Sequence, residues 1–134
     1  MTRIGEDDVE PLHVLLIEDD ADIRETIATV LELEGYKVQA TANGREALAH
    51  LSAGFRPQVI LLDLMMPVMD GWEFRKRQLL DEALARIPTV VMSGDASVDK
   101  KASSIGVRHS LGKPITLDAL LSMVETCSRR HDRA

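Results

Sequence analysis

The chain has 134 residues, which suits one domain, and its 45% apolar and 28% charged residues are an ordinary globular balance. Aromatic residues make up only 3%, which argues against stacking platforms for single-stranded nucleic acid, and a formal charge of −6 disfavours direct binding to DNA or anionic membranes. Cys127 is the one cysteine, so an internal disulfide and a cysteine-rich zinc site are both excluded.

Residues 1–11 (MTRIGEDDVEP) are polar and acidic, and read as a flexible arm without a signal-peptide segment. No run is long enough to span a bilayer, so the expected setting is the cytoplasm. His13–Ile17 (HVLLI) is an uninterrupted β-type run. Ile23, Ile27, Val30 and Leu31 follow at i, i+4, i+7, i+8, a helix that Asp20 or Asp22 can cap and Gly35 stops. Tyr36–Ala42 alternates as a half-exposed edge strand does. Ala47, Leu48 and Leu51 form a second helical stripe ended by Gly54. Val59–Leu62, after Pro57, is apolar throughout. A third helical region covers 72–85, with a clear start after Gly71 and no marked end. Thr89–Met92, after Pro88, is again wholly apolar. Val98, Ala102 and Ile105 give a short fourth helix ended by Gly106, and Ser110–Gly112 is a weak fifth strand. Leu117, Leu120, Leu121 and Val124 give a fifth helix, and a polar, frayed tail is expected from Ser128 to Ala134. Five β-α repeats with apolar strands imply an α/β, doubly wound parallel sheet covered by helices on both faces.

In such sheets the working crevice lies beyond the carboxyl ends of the strands. The first run ends in Glu18-Asp19-Asp20, the third in Asp63, the fourth in Ser93 and the fifth in Lys113-Pro114. Acidic residues after strands are often helix caps, and Asp20 suits that role. Asp63 does not, because it follows four apolar residues and precedes Leu64-Met65-Met66-Pro67. Two carboxylates about 4 Å apart repel by roughly 4 kcal/mol at an effective dielectric near 20. Glu18, Asp19 and Asp63 therefore call for a cation, and hard oxygen donors favour Mg²⁺.

These residues carry a family likeness. VLLIEDDADIRE (14–25), VILLDLMMPVMDGWEF (59–74), VVMSGD (90–95) and GKPI (112–115) resemble the receiver domain of two-component response regulators, over about 12–128. The resemblance implies a flavodoxin-like (βα)5 sheet of strand order 2-1-3-4-5, with 129–134 as a tail. It implies that Asp63 accepts a phosphoryl group from a histidine kinase or phosphotransfer protein. Asp19 and Asp63 would bind Mg²⁺ directly with the backbone carbonyl of Met65, and Glu18 would hold a metal-bound water. Ser93 would hydrogen-bond one phosphoryl oxygen, Lys113 would pair with another, and a cis bond would precede Pro114. The chemistry would be the chain's own aspartyl phosphorylation and dephosphorylation, short of a classical enzyme. Output would pass to an unknown partner protein, with no nucleic acid or membrane bound directly and no DNA-binding module after the fifth helix.

Two departures stand out. The family usually has an aromatic residue three before the lysine, where this chain has Ser110, and His109 beside it has the wrong strand parity. The stretch from Ser93 to Lys113 also looks short, which should trim the fourth helix or its loop. Ser110 is the best support for an alternative, a receiver-like binding module that no longer uses phosphate. A third reading, an Mg²⁺-dependent phosphohydrolase, lacks a general acid, since Met65 stands where one would be, and lacks a cap. Trp72 reads as a packing or half-exposed residue, Met65, Met66, Met69 and Met92 as site walls and core, and Cys127 as a partly buried thiol. His13, His50, His109 and His131 lack ligand spacing.

Overall fold

The computed structural model describes residues 11–95 and 97–133, with side chains as far as Ser128. The expected arm falls almost wholly outside the described residues. Five strands alternate with helices: β1 His13–Ile17, α1 Ala21–Leu33, β2 Lys37–Thr41, α2 Gly44–Ser52, β3 Val59–Asp63, α3 Gly71–Leu79, α4 Glu82–Ala85, β4 Thr89–Ser93, α5 Val98–Ser104, β5 His109–Gly112 and α6 Leu117–Arg133. The strands form one parallel sheet in the order β2-β1-β3-β4-β5. The fold is therefore the α/β sheet that the apolar runs imply.

Strand parity divides the core. Val14, Leu16, Val59, Leu61, Val90, Met92 and Leu111 face Ile27 and Leu31 of α1 and Leu120, Val124 and Cys127 of α6. Leu15, Ile17, Ile60 and Leu62 face Ala47 and Leu51 of α2, Phe74 of α3 and Leu84 of α4. Val91 packs with Leu64, Ala102 of α5 and Val107. β1, β3 and β4 are covered on both faces, which is why their sequences are continuously apolar. β2 lies at the edge and is mostly exposed or half-buried, as expected of an edge strand, but its burial does not alternate residue by residue: Val38 and Gln39 are both half-buried.

The expected 72–85 helix is two helices. α3 stops at Leu79, and Asp81 caps α4 by accepting from the amides of Ala83 (2.9 Å) and Leu84 (3.4 Å). Fully buried Gln78 donates to the carbonyl of Leu84 (2.8 Å), anchoring the new helix from beneath. At the other end, the frayed tail is instead helix as far as Arg133. Ser128 is buried, and its hydroxyl donates to the Glu125 carbonyl at 3.2 Å. Cys127 is wholly buried in the core rather than partly so, and Leu117, placed on the apolar stripe, is 53% exposed. Among the described residues no helix is long and apolar enough to cross a membrane.

Candidate functional site

The carboxyl ends of β1, β3, β4 and β5 bring the strand-ending residues to one edge of the sheet. At β1 the chain turns sharply into α1. The Glu18 amide donates to the Thr41 carbonyl at 3.0 Å, extending the sheet by one residue. Asp20 is the cap of α1 and accepts from the amides of Asp22 (3.0 Å) and Ile23 (3.1 Å). Arg24 reaches back from the first turn, and its Nη1 donates to the carbonyls of Glu18 (2.8 Å) and Asp19 (3.3 Å). Nothing in the sequence pattern singled out Arg24; its position in a helix first turn is the one available signal.

Asp63 ends β3, paired in register with Met92 of β4. Its Oδ1 accepts from the Met65 amide at 3.2 Å. The loop beyond returns against the strand at Gly71, whose amide donates to the Leu64 carbonyl at 2.9 Å. A Cβ at Gly71 would lie 2.7 Å from Leu64 Cα and 2.9 Å from the Asp63 carbonyl oxygen, so glycine is required by close approach. Met66 and Met92 are buried wall and core as expected, but Met65 is 64% exposed and forms a rim rather than a wall.

Ser93 ends β4, in register with Gly112 of β5, and its carbonyl accepts from the Lys113 amide at 2.8 Å. The Lys113–Pro114 bond is cis. Lys113 Nζ lies 2.8 Å from Glu18 Oε1 and 3.5 Å from Asp63 Oδ2. The nearer contact is an ion pair to a wholly buried carboxylate oxygen.

Glu18, Asp19 and Asp63 each turn a carboxylate oxygen to a common point, all within 4.8 Å of one another. Glu18 is wholly buried and Asp63 nearly so, while Asp19 is exposed. Burial pushes the Asp63 carboxyl up to about 7, and its hydrogen bonding with Asp19 and the charge of Glu18 push the same way against Lys113. For Lys113, burial favours the neutral amine, but Glu18 and Asp63 outweigh it and hold the ammonium above its ordinary range. Three carboxylates against one ammonium form a cluster short of positive charge. The donors are hard oxygens with an open side at Asp19, which fits a small divalent cation that keeps some of its water.

The Ser110 hydroxyl, standing where the resemblance expects a ring, donates to Asp99 Oδ1 of α5. α5 itself is only seven residues long, in line with the short Ser93–Lys113 stretch.

Comparison with known proteins agrees with this fold. The family model described as the response regulator receiver domain matches residues 14–125. Response regulator MprA of Mycolicibacterium vanbaalenii is 34% identical over 122 residues, covering 90% of this chain and 52% of that protein. The DNA-binding dual master transcriptional regulator RpaA of Synechocystis sp. is 33% identical, covering 90% of this chain and 51% of its own. This chain thus spans about half the length of those curated relatives. The chemotaxis response regulator CheY4 of Vibrio cholerae superposes with a TM-score of 0.80 at 32% identity, over 88% of this chain and 99% of that one.

Proposed function

The chain belongs to the response regulator receiver domain family, and we propose that it accepts a phosphoryl group on Asp63 from a phosphohistidine of a kinase or phosphotransfer protein. We further propose that it passes the signal on by phosphorylation-dependent contact with a partner protein. The observation that carries the reading is the buried Asp63 carboxylate at the junction of two acids and Lys113.

Phosphoryl transfer is mostly positioning and charge neutralisation. The ionised Asp63 oxygen would form the new O–P bond as the donor's N–P bond breaks. Lys113 is already placed between Glu18 and Asp63, so its ammonium would swing little to pair with a phosphoryl oxygen. Ser93, one strand away, would donate its hydroxyl to another. Magnesium, held directly by Asp19, Asp63 and the Met65 carbonyl and through water by Glu18, would supply the positive charge the cluster lacks. Glu18 would also remain the fixed counter-charge to Lys113 once Asp63 is modified.

The reading is tested by exposing the protein to a small phosphodonor such as phosphoramidate, with and without Mg²⁺, and measuring intact mass. One added phosphoryl group is expected with Mg²⁺ and none with Asp63→Asn. The same gain on the Asn variant would refute the assignment.

A further inference from the structure

The Ser93 hydroxyl does not sit alone. Its Oγ accepts a hydrogen bond from the Asp95 amide at 3.1 Å. A serine hydroxyl has one hydrogen to give and two lone pairs to receive. With a lone pair taken by Asp95, and no acceptor for its hydrogen among the hydrogen bonds of the described residues, that hydrogen is left to be donated. Asp95 is itself held by its side chain. Its Oδ1 accepts from the Ser97 amide (2.8 Å) and hydroxyl (2.7 Å), and its Oδ2 pairs with Lys101 Nζ at 2.8 Å. The Lys101 ammonium also stands 5.7 Å from the centre of the Trp72 ring, at the start of α3. That distance is within the range of a cation–π contact.

For stability this pair counts for little, since its side chains are 31% and 41% exposed. Its consequence lies in where it places the backbone. Lys101, standing on α5 and braced by Trp72, holds the carboxylate of a residue whose amide holds Ser93. We propose that Lys101 is a positioning residue for phosphoryl acceptance: acting through Asp95, it holds the Ser93 hydroxyl as a donor toward Asp63. This rests on the proposed function and deepens it, because it names how the β4 end is set in a chain that has serine at position 110. The Asp95 carboxyl is held well below its ordinary range, first by Lys101 and then by Ser97, so it stays ionised near neutral pH.

The test is a double-mutant cycle on Mg²⁺-dependent phosphorylation by phosphoramidate, followed as rate against donor concentration. Lys101→Met should lower the saturating rate about five-fold, the effect of one lost positioning hydrogen bond, with donor half-saturation little changed. Lys101→Arg should recover most of that loss. In a Ser93→Ala background Lys101→Met should have no further effect, because its route to the reaction is gone. Asp95→Asn, which keeps the backbone amide but weakens its anchor, should repeat the loss and serves if Lys101→Met proves unfolded by circular dichroism. A full additional loss in the Ser93→Ala background, or a Lys101→Met rate equal to wild type, would overturn the proposal alone. A wild type that takes no phosphoryl group would overturn the proposed function with it.

Discussion

At the scale of single residues, Asp63 is under two opposed demands: burial favours its neutral form, while the attack on phosphorus proposed for it needs the anion. Its carboxyl is pushed from 3.8 up to about 7, chiefly by burial. A raised folded value makes the proton a stabilising ligand. That contribution is complete below about pH 4 and is lost as pH rises through 7. The metal-free protein should therefore unfold at a lower urea concentration at pH 8 than at pH 5, by roughly 2–4 kcal/mol from this group. Asp63→Asn should flatten the difference, and Mg²⁺ at pH 8 should restore the midpoint by taking the proton's place. A wild-type midpoint that rises from pH 5 to 8 without metal would contradict the assignment. Val68 offers a second test. It has φ of 70° in a β-branched, 68% exposed residue, in a turn closed by the Met69 amide donating a hydrogen bond to the Pro67 carbonyl at 2.8 Å. Such a conformation costs about 1–3 kcal/mol, so Val68→Gly should raise the thermal midpoint. A lower midpoint would show that the valine side chain is needed by the fold. Glu18, Asp19, Asp63 and Ser93 were legible as candidates because each closes an apolar run, and Lys113 because it closes the last, weaker strand of the same pattern. Arg24 and Lys101 were not, because their long side chains act on residues that no periodicity links to them.

At the scale of elements, the strands were the most readable part, since burial on both faces leaves a continuous apolar signature in β1, β3 and β4. The break between α3 and α4 was not readable. It depends on Gln78 meeting Leu84, Ile87 and Thr89 in the interior, contacts that exist only once β4 is in place. Arg75 adds to this unseen network by bonding the carbonyls of Ile105 and Gly106 at the end of α5, at 3.0 and 3.1 Å. The join of β3 to α3 is where element packing meets the site. Gly71→Ala would press its methyl into Leu64 and the Asp63 carbonyl. The expected result is a loss of about 1–3 kcal/mol in unfolding experiments, with slower acceptance from a small phosphodonor. Stability and rate both equal to wild type would show that the loop gives way without cost.

At the scale of the whole molecule, the proposed signalling requires two states that a phosphoryl group would distinguish by contact. Ser110 has no ring to move, and its hydroxyl ties β5 to Asp99 of α5. Change at the Ser93 hydroxyl therefore has a direct structural path through Asp95 into the first turns of α5. The mimic beryllofluoride, with Mg²⁺, should shift backbone amide resonances strongly around 93–99 and weakly along 117–127. Large shifts spread down α6 would show that the more distant surface switches without an aromatic residue. All of this depends on Asp63 being the acceptor. The most direct measurement is to phosphorylate the wild type with phosphoramidate and Mg²⁺, reduce the acyl phosphate with borohydride, and sequence the peptides by mass spectrometry. Homoserine in place of Asp63 is the predicted result. Reduction at Asp19 or any other carboxylate, with Asp63 intact, would contradict it.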